Sequence, residues 1–170
     1  MYTLCCTGKI LKRTGFVPEA STPAPTTALG DWYVNLIYIN RIQLLLFVSD
    51  KTRMAVVTPA KNTKNLRNHL TNGLSTVLRA MSIPPEWIRF EIKEMKNDNH
   101  ISKTRSRSIL GTMNDYKYHV ECQILIFGRT KPYEISMELN QIPIGSLDYR
   151  YPSDLTIEAF RAAYERPLFD

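Results

Sequence analysis

The stretch from Trp32 to Thr58, WYVNLIYINRIQLLLFVSDKTRMAVVT, decides the fold. It holds three runs rich in β-branched and aromatic residues: Trp32–Asn40, Ile42–Ser49 and Met54–Thr58. Such side chains suit a pleated, half-buried surface, and only short polar breaks, Asn40-Arg41 and DKTR, separate the runs. That spacing predicts an antiparallel β-meander. The LLLF run in its middle has no polar face, so that strand is expected to be central and covered on both sides.

Downstream the period changes. Leu66, Leu70, Leu74, Val77, Leu78 and Met81 recur at helical spacing, with Lys64, Arg67, Asn68, Asn72 and Arg79 opposite them, which predicts an amphipathic helix over Asn65–Met81. Pro84-Pro85 ends it and puts Pro85 in the first turn of a second helix, PPEWIRFEIKEMK. In that helix Trp87, Ile88, Ile92 and Met95 read as inward, and Glu91 and Glu94 as surface ion-pair partners of Lys93 and Lys96. DNHISKTRSRS reads as a polar loop leading into a helix from Ile109, whose tail ILIF fits helix or strand equally. PYEISMEL, Pro132–Leu139, alternates enough to predict an edge strand. A loop through IPIGSLDYRYPSDL leads to a closing helix, Thr156–Arg166, capped by Ser153 or Asp154, with Ile157, Phe160, Ala163 and Tyr164 inward.

Upstream, Met1–Thr7 reads as a short strand and Gly8–Thr14 as one or two helical turns with Lys9, Lys12 and Arg13 outward. Residues 16–29 hold three of the chain's ten prolines, a composition that continues neither helix nor central strand. This is a Pro-rich crossing segment inside one domain. The 170 residues are therefore read as a single α+β domain, 1–170, in which an antiparallel β-meander packs against several helices.

Composition narrows the function. No run reaches the ~20 apolar residues of a membrane helix, and the first fifteen residues carry their cations after their apolar residues, the reverse of a secretory signal. A cytoplasmic protein without membrane contact is expected. Cys5 and Cys6 are adjacent and Cys122 is alone, so neither a disulfide framework nor a CxxC pair exists; on a strand one of the first two is expected in the core and the other outward. No Walker A, GxGxxG, HExxH, GxSxG or zinc-finger spacing occurs, and no cofactor or metal is expected. The net charge of +6 is uneven: residues 1–85 carry ten Lys/Arg against three acids, and Lys51–Pro85 has six cations and no acid. A one-sided basic surface suits nucleic acid, another phosphate ligand or an acidic protein partner.

Three groups of residues carry candidate chemistry. KTRSRS, Lys103–Ser108, precedes the helix at Ile109. With Ser106 or Ser108 as cap it is either an anion cradle at a helix N-terminus or a solvated loop. Together with Lys61, Lys64 and Arg67, the cations Lys103, Arg105 and Arg107 make up the candidate nucleic-acid contacts. Asp115, His119 and Cys122 share one helical face, offering an acid/base pair or, less readily, metal ligands. Either His100, next to the basic loop, or the Asp115–His119 pair could act in metal-independent phosphate chemistry, with Arg107 beside them. Trp32 and Tyr33 read as core residues on opposite faces of a strand, with stacking on bases as the alternative.

MYTLCCTGKILKR at the start, TTALGDWYVNLIYINRIQLLLFVSDKT (26–52) and KTRSRSILGTMNDYKYHVE (103–121) resemble a family of small bacterial proteins of unknown function. Its members share an LGDWY opening with a later KT and an RSxLGSMND motif; Thr112 stands here where the motif has serine. The resemblance reaches to about Glu121. It singles out Gly30, Asp31, Trp32, Tyr33, Lys51 and Thr52, and then Lys103, Thr104, Arg107, Ser108, Leu110, Gly111, Met113, Asn114 and Asp115, and it implies a polar cluster of Asp31, Trp32, Asn114 and Asp115 between meander and helix. It further implies a mobile-element or toxin–antitoxin-like setting. The leading expectation is a nucleic-acid- or phosphate-ligand-binding protein; the alternatives are a metal-independent ribonuclease or phosphotransfer enzyme and an antitoxin-like interaction module.

Overall fold

The meander forms as the sequence predicts, and two further strands join it. The computed structural model describes residues 1–165. Strands β1 (Tyr2–Cys6), β2 (Trp32–Ile39), β3 (Ile42–Ser49), β4 (Ala55–Pro59) and β5 (Asn99–Lys103) make one sheet in the order β4-β3-β2-β1-β5. β2, β3 and β4 pair antiparallel, but β1 pairs parallel with both β2 and β5. The sheet is thus mixed, and β3 alone runs against the other four strands. The expected pure meander missed this because β5, NHISK, is polar and reads as loop. It is an edge strand, shielded by the crossing segment through the bond from the Glu19 amide to the Ile101 carbonyl (2.8 Å).

Helices cover both faces, so the sheet lies between two apolar cores. Trp32, Val34, Leu36, Leu45 and Phe47 face α1 (Gly8–Thr14), α2 (Leu66–Ala80), α3 (Pro85–Lys96) and α6 (Pro152–Tyr164). Tyr33, Ile37, Leu46 and Val48 face α4 (Arg107–Leu125) and α5 (Pro132–Leu139). Trp32 and Tyr33 thereby pack on opposite faces, as the strand period requires. Cys5 and Cys6 are both buried, one in each core, correcting the expectation that one would point outward.

Three further expectations fail for one physical reason, polar side chains facing inward. Pro132–Leu139 is a helix, α5, laid along the edge of β4. Its Ser136 hydroxyl accepts from the Val57 amide (2.8 Å), and its C-terminal neighbour Asn140 accepts from the Ala55 amide (2.7 Å) and donates to the Ala55 carbonyl (3.0 Å). Glu91, read as a surface ion-pair partner, is fully buried. It accepts from the amides of Ala28 and Leu29 and from the Tyr164 hydroxyl (2.8, 3.1 and 2.6 Å), tying the crossing segment to α3 and α6. α6 begins at Pro152 after Tyr151, with no side-chain cap from Ser153 or Asp154; Ser153 is buried and its amide bonds the Asn140 carbonyl (3.1 Å). Ala163 is exposed while Ala159 is buried beside Phe160, and Arg166 lies outside the described residues. The ILIF tail ends α4 and leaves Leu125, Ile126 and Phe127 exposed. No helix among the described residues is long and apolar enough to cross a membrane.

Candidate functional site

Because β1, β2, β4 and β5 run the same way, their carboxyl ends share one rim, the part of open mixed sheets that ligands commonly use. The chain leaves that rim through cations. α1 follows β1 and carries Lys9, Lys12 and Arg13, all exposed; Lys61 and Lys64 lie in the turn after β4, and Arg67 lies in the first turn of α2. α1 packs beside the 3-10 turn Thr63–Asn65, so the two basic segments adjoin. Neither residues 1–18 nor residues 51–85 contain an acid, and the first turn of α2 has none to offset its dipole. Two grooves open here. One, of about 530 Å³, has Phe16, Val17, Lys64, Arg67 and Asn68 on its walls; the other, of about 510 Å³, has Lys9, Lys12, Arg13 and Tyr38. Arg13 donates to Gln43 Oε1 (3.1 Å) at the rim, whereas the Arg67 guanidinium reaches away from it to the carbonyl of Asn99 (3.1 Å), the first residue of β5.

Lys103 ends β5 at the same rim, whereas Arg105 turns onto the α4 face of the sheet. Its guanidinium lies 3.7 Å from Asp31 Oδ2 and 3.8 Å from Cys5 Sγ. Asp31 is engaged with the backbone: its Oδ1 accepts from the Thr3 amide (2.7 Å), its amide donates to Asp50 Oδ1 (3.0 Å), and its carbonyl accepts from the Asp50 amide (2.9 Å). Gly30 completes the latch. It sits at φ +76°, and a Cβ there would collide with the Asp50 carboxylate. Burial, followed by the charge of Asp31, pushes the Asp50 carboxyl up to about 6. Burial likewise raises the Cys5 thiol, the opposite of what a reactive thiolate requires. The LGDW motif therefore anchors the turn after β3 against the start of β2. Asn114 and Asp115, on the exposed side of α4, have no hydrogen bond to it among the described residues.

The third feature lies on α4. Ser106 caps the helix, its Oγ accepting from the Ile109 amide (3.3 Å), while the Ser106 amide donates to the Tyr33 hydroxyl (3.2 Å). The helix period then sets Arg107, Gly111, Asp115 and His119 in one row. They form one wall of a cleft of about 540 Å³, with Ile142–Ser146 opposite. Three of the four candidate catalytic residues are thus brought together. His100 is elsewhere: on β5, with Nδ1 3.0 Å from Glu19 Oε2, a contact that holds the Glu19 carboxyl below its ordinary value. Asp115 and His119 share no hydrogen bond, and no cluster able to hold a metal exists among the described residues.

Sequence reading missed Arg53. It is 8% exposed at φ +59°, in the turn after β3. Its Nη1 donates to the Asp50 carbonyl, its Nη2 lies 3.5 Å from Ser108 Oγ at the start of α4, and its Nε has no partner among the described residues. The Tyr116 hydroxyl fixes the Arg53 carbonyl at 2.7 Å. Only the fold brings that turn to α4, so no local pattern announces the contact. The α1 cations were likewise read as no more than outward-facing.

Fold and sites together define a mixed-sheet α+β protein with a basic carboxyl-end rim and a separate polar cleft on the other face. Residues 3–155 match a family described as a domain of unknown function (DUF6933), and the chain belongs to that family. No curated protein and no solved structure matches it.

Proposed function

We propose that this protein binds nucleic acid along the carboxyl-end rim of its sheet, with Lys9, Lys12, Arg13, Lys61 and Lys64 as phosphate contacts. One observation carries the reading: α1 and the 61–67 turn, far apart in the sequence, lie side by side with no acid in either segment. Lys103 extends the line, and the exposed ring of Tyr38 beside Arg13 offers a surface for stacking. The charge is spread across two shallow grooves rather than focused in one pocket, which suits a polymer of phosphates. The test is a filter-binding titration with a 20-base single-stranded RNA and a 20-base-pair DNA duplex between 50 and 300 mM KCl. The logarithm of the affinity should fall linearly with log salt, by about 0.9 per phosphate contact on duplex and about 0.7 on single strands. Binding that ignores salt, or no retention at 50 mM, sinks the reading. Capture of an acidic protein by the same rim, with no nucleic acid retained, would assign the surface to the antitoxin-like alternative.

A further inference from the structure

The cleft between α4 and residues 142–146 contains a glycine that the fold does not need. Gly111 stands inside a 19-residue helix, where glycine is less stable than alanine. Its φ is not positive, and a Cβ there would meet nothing within 4 Å among the described residues. Neither backbone conformation nor close packing therefore calls for glycine. What distinguishes the position is that it lines the cleft, in the α4 wall between Arg107 and Asp115.

The charges on either side of it are also left to solvent, without a protein partner among the described residues. Arg107 and Asp115 flank Gly111 by one helical turn each, and both are exposed. Neither forms an ion pair among the described residues. The helical rise sets them ~12 Å apart along the axis, too far to pair with each other. At the Arg107 end the helix terminus and a second guanidinium favour an anion, the latter partly offset by the Asp50 carboxylate beside it. The helix N-terminus points there with no acid in its first turn. Behind it lies the nine-tenths-buried Arg53 guanidinium, reaching Ser108 Oγ with its own Nε unpartnered. At the far end the cleft turns aromatic and apolar. Tyr118 is 64% exposed and meets His119 edge-on with ring centroids 5.9 Å apart, and Ile142 and Pro143 also line the cleft. Asp115 lies between, a carboxylate with only acceptors to offer.

We infer that this cleft is a nucleotide-binding site: phosphate at Arg107 and the α4 N-terminus, ribose hydroxyls donating to Asp115 over Gly111, and the base against Tyr118, His119 and Pro143. A free oxyanion would leave Asp115 and the aromatic end unused, and an uncharged nucleoside would leave the cationic end unused. The cleft volume, about 540 Å³, lies within the usual range for small-ligand sites. This site is on the opposite face of the sheet from α1 and α2 and does not depend on the rim binding nucleic acid.

The test is calorimetric titration of the full chain with AMP, GMP, CMP and UMP, alongside dAMP, adenosine and inorganic phosphate. At least one ribonucleoside monophosphate should bind at least tenfold more tightly than adenosine or phosphate. Its deoxy form should bind about tenfold more weakly, and Asp115→Asn should erase that difference. Arg107→Ala should weaken binding tenfold or more. Gly111→Leu should abolish binding while leaving the urea midpoint unchanged or higher, which separates a blocked cleft from a damaged fold. Lys12→Glu/Lys64→Glu, at the rim, should leave nucleotide affinity unchanged, so failure here and failure of the rim reading are distinct results. The inference is overturned if no monophosphate binds at millimolar concentration, if phosphate alone binds as tightly, or if Gly111→Leu binds like the parent.

Discussion

Asp50 keeps its carboxylate over Gly30 because the Asp31 amide and the missing Cβ leave it a niche, and the niche sets its ionisation. Its carboxyl is raised from 3.8 to about 6, first by burial and then by the nearby charge of Asp31. A folded-state pKa above the unfolded value means the folded protein holds that proton more tightly. The associated stability is fully present below about pH 4 and is lost as pH rises through about 6. Asp50→Asn keeps an acceptor for the Asp31 amide and removes the titration. It should therefore gain on the parent between pH 4.5 and pH 7.5 by about 1 kcal/mol, allowing for solvent screening of a half-buried group. Urea unfolding at the two pH values measures the gain, and a pH-independent difference would contradict it. Gly30→Ala tests the same latch sterically. Positive φ and the collision with Asp50 should together cost about 2–3 kcal/mol, lowering Tm by about 4–12 °C for a chain of this size.

At the scale of elements, α5 acts as a seal. An edge strand exposes a row of amides and carbonyls that can recruit other chains, and Ser136 and Asn140 occupy that row on β4. Asn140→Ala leaves the buried amide and carbonyl of Ala55 without these partners and should destabilise by about 2–3 kcal/mol. Static light scattering should also show faster aggregation on mild heating than in an equally destabilised core variant such as Leu74→Ala; equal aggregation would mean that α5 fills space only. The polar contacts also explain which elements were legible. α2 could be read from its leucines because its buried face is apolar apart from Thr71, which leaves the Leu66, Leu70, Leu74, Val77 and Leu78 period unbroken. α5 buries Ser136 beside Ile135 and Leu139, so its inward face breaks the apolar period and imitates alternation. Glu91 misled for the same reason. α4 was legible as a helix, and so was the face shared by Asp115 and His119, because that face is a property of one continuous helix; Arg107 and Gly111 join it because the helix begins at Arg107 rather than Ile109. The loop that closes the cleft and the Arg53 behind it were not, since tertiary contact alone brings them there.

Across the whole molecule, charge is sorted by the direction of the strands. The carboxyl ends deliver the chain into α1, the 61–67 turn and Lys103, while Asp31 and Asp50 lie toward the opposite end of β2, beside the end of β3. Net charge and its placement can therefore be tested separately. Lys9→Glu/Lys12→Glu/Lys64→Glu and Lys93→Glu/Lys96→Glu/Lys117→Glu change the formal charge equally, from +6 to 0, at exposed or half-buried positions. If the rim is the interface, the first triple should weaken nucleic-acid binding at 50 mM KCl by at least a hundredfold. It should also flatten the plot of log affinity against log salt by about three phosphate contacts, since each lost contact removes about one unit of slope. The second triple should shift affinity only modestly through the long-range field and leave the slope unchanged. Equal losses in both would mean that the protein attracts polyanions through its overall charge and that the rim has no special role.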